Sequence, residues 1–402
     1  MLISVALDPA DGAVYRLHTV YLSTAHIGRV VFDLIDDRLR RSRGEGLREA
    51  ADGEDPAAVS LGAQGADLDS LELLGVAGAV NEFFHLHETE VDDYLLRTRR
   101  IGDWAEIVGH GLEEGTSGIT FETSGTTGHP KRVFHSWESL RQEADYLAET
   151  FADRRRVIST VPAHHIYGFL FTVLLPQQRS LSVRPMHWSR LGELRHMLEK
   201  RDLLVSHPEL WRYLSRSIAG WPADVLGTSS TAPLRADIHR ALLAGGLATL
   251  TEVYGSTETG GVGLRSQPEV PFELFPYLSR SESPALCRVL PSGDTVRVEL
   301  RDRIEWHDER HFVPQGRLDR VVQVGGENVS LQRVEDVLSE VPGIAGATVH
   351  AVEVDGILRL EARLRRAPDE AGVLPSRQAV MEVARRRLRP TERPVAVTFS
   401  EA

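Results

Sequence analysis

Residues 121–131 read Phe-Glu-Thr-Ser-Gly-Thr-Thr-Gly-His-Pro-Lys, and the six positions Thr123, Ser124, Gly125, Thr126, Thr127 and Gly128 carry four hydroxyls and two glycines. Glycines let successive backbone N–H groups converge on an anion, hydroxyls add donors, and the Lys131 ammonium supplies a point charge, which together suit phosphate binding. A polar surface turn draws on the same residue types. The lysine favours the phosphate reading. Of 46 basic residues only Lys131 and Lys200 are Lys, leaving 44 Arg. Arg keeps its proton and binds as a planar fork, so a compact, mobile cation stands out in such a chain.

Three more segments follow: Val161-Pro-Ala-His-His-Ile-Tyr-Gly168, Gly227-Thr-Ser-Ser-Thr-Ala-Pro-Leu234 and Glu252-Val-Tyr-Gly-Ser-Thr-Glu258. After them Asp302 stands 14 residues before Gly316-Arg-Leu-Asp-Arg320. Each has an ordinary structural reading. His164 and His165 suit a helix start after a strand, and Asp302, between Arg301 and Arg303, suits an ion pair.

In this order the segments resemble the adenylate-forming superfamily, which includes acyl- and aryl-CoA synthetases, luciferases and peptide-synthetase adenylation domains. The resemblance implies that Thr123–Gly128 and Lys131 hold the phosphates of ATP. It places His165 beside the reacting carboxylate and Tyr167, Gly168 and Phe169 in the acid pocket. Ser230, Thr231 and Ala232 would border the adenine, where small side chains let a planar ring approach the backbone. Tyr254 would lie against the same ring, Thr257 would touch phosphate, and Glu258 would help hold Mg²⁺, a hard cation that takes one or two carboxylates plus phosphate oxygens. Asp302 and Arg317 would bind the ribose, Asp319 would be the hinge of a small C-terminal lobe, and Gly325-Gly-Glu-Asn-Val329 would face the thioester-forming site.

Two departures qualify the resemblance. The family carries a lysine near the end of its small lobe, whereas none follows Lys200 here. Arg389–Ser400 resembles the segment before that lysine, so either the lobe is short or another cation serves adenylation. The roughly 120 residues before the phosphate loop also differ. Asp69-Ser-Leu, with Phe83-Phe and Thr98–Ile107, resembles an acyl carrier protein, in which Ser70 would bear phosphopantetheine. The alternative is that Ser70 only caps a helix.

The elements that must position these residues follow from periodicity. Ile27, Val30, Val31, Leu34, Ile35 and Leu39 predict a helix over 22–40, and Leu71, Leu74, Ala77, Val80 and Phe84 another over 69–84. Arg41–Asp67 reads as mostly loop. Short apolar runs at 157–161, 203–205, 224–227 and 248–254 predict strands, with helices at 137–151 and 191–201 between them. Residues 286–300 alternate like antiparallel strands, and 317–324 lead into a helix at 331–340. The expected fold is an α/β adenylate-forming core over 113–315, a small α+β lobe over 316–402, and a helical, carrier-like region over 1–112.

Composition narrows the function. The net charge of −12 argues against general nucleic-acid binding. No apolar run nears the roughly 20 residues of a spanning helix, and Cys287 is the single cysteine, which together predict a soluble, cytoplasmic protein without disulfides or a Cys-based zinc site. Phe83–Thr89, Asp93–Leu96 and the short length resemble the 4-coumarate–CoA ligases associated with photoactive yellow protein. That implies ATP-dependent activation of an aryl acid, 4-coumarate first, with Mg²⁺ and with CoA as thiol. The alternatives are an aryl acid ligase loading 4-hydroxybenzoate or a similar acid onto a carrier protein, and a catalytically impaired nucleotide-binding module.

Overall fold

The computed structural model describes residues 5–7, 14–16, 20–47, 55–123, 131–218, 220–282, 284–317, 320–354, 357–366 and 376–400. A short antiparallel pair, β1 (Val5–Leu7) and β2 (Val14–Arg16), comes first. Ser23 then opens α1 (Thr24–Arg43) by accepting the His26 N–H, and Gly44 closes it in the left-handed region at φ 84°. The expected apolar stripe is its buried face: Ile27, Val30, Val31, Ile35 and Leu39.

The second helix, α2 (Ser70–Phe84), corrects two expectations: Leu71 and Leu74, expected on the apolar face with Ala77, Val80 and Phe84, are exposed, Leu73, Val76 and Phe83 being buried instead, and the cap differs. Asp69, not Ser70, is the cap. Its carboxylate accepts the Leu71 and Glu72 N–H groups, and Glu72 returns a bond to the Asp69 backbone. Ser70 is the first helical residue and is exposed. A third helix, α3 (Ile101–Glu114), buries Trp104, Ala105, Val108 and Leu112. Between 44 and 67 the described chain is irregular apart from the turn at Pro56–Ala58, in keeping with the loop expectation.

Next comes a two-stranded antiparallel ribbon, β3 (Gly118–Thr123) and β4 (Lys131–Ser136), which passes directly into α4 (Trp137–Thr150). Five parallel strands and two antiparallel neighbours form the main sheet in the larger unit: β5 (Arg156–Ser159), β6 (Ser182–Pro185), β7 (Asp202–Ser206), β8 (Leu226–Ser229), β9 (Thr249–Ser256), β10 (Gly260–Arg265) and β11 (Phe272–Leu274). Within the larger unit their order is β11-β10-β9-β8-β7-β5-β6. Pairing is parallel from β6 to β9 and antiparallel from β9 to β11. β7 is buried along its whole length, as a central parallel strand should be.

A long helix at 191–201 does not form. The chain makes a 3₁₀ turn at Trp188–Glu193 and one helical turn at Leu194–Met197. Leu198 then turns extended, and the Asp202 carboxylate takes the Glu199 N–H at 2.8 Å together with the Arg156 guanidinium at 2.7 Å. A side chain that captures a backbone N–H offers the chain an alternative to helix, and here it wins.

The chain forms two compact units, the larger from Met1–Glu122, Arg132–Leu278 and Cys287–Arg297, the smaller from Thr123–Lys131, Ser279–Leu286 and Val298–Ala402. The helices α1, α2 and α3 therefore belong to the same unit as the main sheet. In the smaller unit, Asp302–Trp306 pairs with His311–Arg317 and Val321–Val324 with Glu327–Ser330. The helix Leu331–Ser339 follows, then antiparallel Ile344–Val354 and Ile357–Arg366, with Ala396–Ser400 parallel to the latter. Val334, Leu338, Val349, Leu360 and Leu364 make its core. No helix among the described residues is long and apolar enough to cross a membrane.

One buried bond ties the ends of the β3–β4 ribbon together. The Trp137 indole N–H, at the start of α4, donates to Thr116 Oγ1 at 2.9 Å, and both residues are fully buried. Thr116→Val keeps the shape but leaves the indole N–H unpaired, which costs about 1–3 kcal/mol. Urea unfolding is expected to shift to lower midpoint by that amount, and an unchanged midpoint would show that the bond contributes nothing.

Candidate active site

Ligands of open α/β sheets bind beyond the carboxyl ends of the parallel strands. The site residues of the larger unit lie at that edge. β5 ends at Ser159 and leads to the histidine segment, β8 ends at Ser229 and leads to Ser230, Thr231 and Ala232, and β9 ends at Ser256 and leads to Thr257 and Glu258. Ser206, ending β7, is in register with Ser229 and bonds Thr160 Oγ1 at 2.9 Å. Short hydroxyl side chains thus finish successive strands.

The turn between β9 and β10 carries the expected metal ligand. Thr257 and Glu258 are half-buried, and Glu258 makes no hydrogen bond or ion pair among the described residues. A half-withdrawn carboxylate without a protein partner suits a hard cation. Two residues that the sequence reading passed over fix this turn. His135, on β4, donates from Nε2 to the Thr257 carbonyl at 2.6 Å. Burial holds its pKa down at about 4, so the ring is neutral and the bond fixes its tautomer. Glu143, on α4, accepts the Gly261 N–H at 2.8 Å from the opposite side of the hairpin. Burial raises the Glu143 pKa, with the Arg288 charge and the Gly261 bond opposing the rise. Gly255 permits the tight hairpin, because a Cβ there would lie 2.2 Å from the Gly260 carbonyl oxygen.

The histidine segment is held by α1. Asp33 accepts the Ala163 N–H at 2.7 Å, Arg29 reaches the Thr172 carbonyl, and Asp37 lies 3.9 Å from His164 Nε2. His164 is buried and His165 exposed. A recess between α1, α2 and β3 reaches His165 and is lined by Asp37, Arg38, Arg41, Glu82 and Glu122. Gly168 is obligatory, since a Cβ would meet the Pro162 carbonyl oxygen at 1.8 Å. The Tyr167 hydroxyl donates to the Ser206 carbonyl at 3.2 Å and lies 2.7 Å from Thr228 Oγ1, and burial raises its pKa. Its ring meets Phe171 at 5.0 Å. Phe169 belongs to a different cluster, 5.9 Å from Phe83 and 5.7 Å from Phe121, so the two aromatics expected in one pocket stand in separate packing groups.

The remaining expectations fall as follows. Lys131 is the exposed first residue of β4. Ser230 Oγ donates to the Val253 carbonyl at 2.8 Å, and Thr231 adopts φ 79°, a conformation that a non-glycine residue takes only where a turn demands it. The missing Cβ of Gly227 is used internally: it would lie 2.6 Å from the Trp211 ring. Tyr254 is half-buried, with its ring 5.7 Å from Phe272. In the smaller unit Asp302 and Arg317 are register partners across one hairpin. Thr123 ends β3, while Ser124, Gly125, Thr126, Thr127, Gly128 and Asp319 lie outside the described residues. His207, the residue after β7, also stands at this edge, its pKa lowered by burial; nothing in its local sequence singled it out.

Comparison with known proteins gives the family and the fold. Residues 119–285 match the AMP-binding enzyme family. The chain is 38% identical over 374 residues to a 4-coumarate–CoA ligase of Halorhodospira halophila, covering 93% of this chain and 95% of that one. It is 37% identical over 366 residues to a 4-coumarate–CoA ligase of Rhodobacter capsulatus, covering 86% and 93%. The fold is shared with a product-analogue complex of o-succinylbenzoate CoA synthetase from Bacillus subtilis, at TM-score 0.61, 14% identity, and coverage of 97% of this chain and 91% of that one. The chain belongs to the AMP-binding, adenylate-forming family of acid–thiol ligases.

Proposed function

We propose that the chain converts 4-coumarate, ATP and CoA into 4-coumaroyl-CoA, AMP and pyrophosphate. The observation that carries this reading is the 38% identity with a 4-coumarate–CoA ligase over 93% of the chain. A carboxylate is a poor electrophile until one of its oxygens becomes part of a leaving group. Its oxygen attacks the α-phosphorus of ATP and pyrophosphate departs; the CoA thiol then attacks the acyl carbon and AMP departs. Phosphoryl transfer is mostly positioning and charge stabilisation, and no protein nucleophile is required.

On this reading Thr123–Gly128 and Lys131 hold the β- and γ-phosphates, and Thr257 contacts the α-phosphate. Glu258 is the residue that would hold Mg²⁺, which when bound neutralises charge on the phosphate oxygens. Ser230, Thr231, Ala232 and Tyr254 border the adenine, and Asp302 and Arg317 hold the ribose. His165 stands near the acid carboxylate. Tyr167, its hydroxyl occupied by Ser206 and Thr228, presents its ring rather than its oxygen to the acid pocket with Gly168 beside it, while Phe169 packs in the separate cluster of Phe83 and Phe121. The lobe over 316–402 turns about Asp319 between the two half-reactions. CoA is the acceptor, and the same assay with a carrier protein in its place tests the other acceptor.

Lys131→Ala and Glu258→Ala are each expected to lower thioester formation at least 100-fold while leaving the thermal midpoint unchanged, because both side chains lack structural partners among the described residues. Normal rates in both variants would remove the phosphate-loop and metal assignments. His135→Leu leaves the Thr257 carbonyl unpaired and is expected to lower kcat about 10-fold or more, with His135→Gln recovering part of the loss through its amide donor. Equal rates in both would reduce His135 to packing.

The wild-type fold should also respond to acid through His135. Its folded pKa of about 4 lies below the ordinary 6.5, so between those values the unfolded chain binds the extra proton and stability falls as pH drops. Urea midpoints measured from pH 7 to pH 4.5 are expected to fall more steeply for the wild type than for His135→Gln, and parallel curves would contradict this.

A further inference from the structure

The segment His85-Leu-His-Glu88 plays no part in the nucleotide chemistry, yet it gathers three metal-type ligands. One donor atom from each of His85, His87 and Glu88 lies within 4.8 Å of the others. His85 sits at the C-cap of α2 in the left-handed conformation, φ 58°, ψ 39°, an uncommon position for a side-chain-bearing residue. That conformation turns the chain so that the 3₁₀ turn Leu86–Glu88 brings all three side chains to one place, with Leu86 buried beneath them.

Each ligand is already oriented from behind, which is what metal sites require of their supporting residues. His85 Nε2 lies 2.8 Å from Thr120 Oγ1 on β3, leaving Nδ1 facing Glu88 Oε1 at 3.1 Å. Asn81 Oδ1 accepts the His87 N–H at 2.9 Å and lies 3.3 Å from His87 Nδ1; its amide in turn donates to Asp92 at 3.0 Å. Glu88 accepts the Ser117 N–H and the Ser117 hydroxyl, both at 2.6 Å.

We propose that His85, His87 and Glu88 form a divalent transition-metal site, best suited to Zn²⁺, in the turn that follows α2, backed by the hydrogen bonds to Thr120 on β3 and to Ser117 just before it. Two imidazoles and a carboxylate form a donor set that Zn²⁺ accepts with water in the fourth position. Bond lengths of about 2.0–2.1 Å would draw the donors to roughly 3.4 Å apart. The adjustment falls on His87, the exposed member, while His85 and Glu88 stay held by β3 and by the residue before it. This site shares no residue with the Glu258 site, which the nucleotide's hard cation would use.

The test needs no substrate. Chelator-treated full-length protein is titrated with Co²⁺ and with Zn²⁺ in the absence of ATP, followed by the visible d–d bands of Co²⁺ and by metal analysis after dialysis. One equivalent of metal, Co²⁺ bands of low-coordinate intensity and a rise in thermal midpoint with Zn²⁺ are expected. His87→Ala, which removes an exposed side chain and should fold, is expected to weaken binding at least 100-fold and to abolish the thermal shift. Asn81→Ala should weaken it about 10-fold or more through loss of ring orientation. Absence of stoichiometric metal in the wild type, or equal retention by His87→Ala, would overturn the proposal.

Discussion

The turn that presents Thr257 and Glu258 is gripped from two sides by buried side chains, and the placement of the site in the larger unit depends on that grip. His135 reaches it from the strand that begins at Lys131, and Glu143 reaches the other side of the hairpin from the helix that follows. Both side chains are withdrawn from water, and an unpaired buried polar group is expensive, so neither bond can open cheaply. A carboxylate that must meet a metal–phosphate complex has to wait in the right place, because positioning is most of what phosphoryl transfer asks of a protein. Among the described residues the Glu258 side chain makes no hydrogen bond or ion pair, and what the fold holds is the Thr257 carbonyl beside it.

The second constraint comes from the amino-terminal helices. α1 caps the start of the histidine segment through Asp33 and reaches past it through Arg29, while α2 places Phe83 in the aromatic cluster that surrounds Phe169. These helices are part of the wall of the same unit. Ser70 is an exposed residue behind a helix cap supplied by Asp69.

Much of this was legible in the sequence because it is written in local patterns. The stripe at Ile27, Val30, Val31, Ile35 and Leu39 needed only the helical period, and the parallel strands at 202–206 and 249–256 needed only short apolar runs with helix-length spacers. Lys131 stood out because the chain has two lysines, whereas the roles of the other site segments were implied by their resemblance, in order, to the adenylate-forming superfamily. What escaped was non-local. Nothing around His135 or Glu143 announces that each meets a turn more than 115 residues away, at separations of 122 and 118. The missing helix at 191–201 failed for the same kind of reason: Asp202 captures a backbone N–H just before it and an arginine 46 residues upstream. Likewise Tyr167 and Phe169 looked like pocket neighbours by sequence, but two steps along a helical turn aim them at different clusters.

An adenylate-forming ligase joins its organic acid to AMP before any thiol takes part. Exchange of labelled pyrophosphate into ATP, measured with purified protein, Mg²⁺ and 4-coumarate but no CoA, isolates that step. The exchange is expected to depend on the acid and on Mg²⁺. Exchange that is absent without CoA, or that proceeds equally well with no acid present, would contradict it.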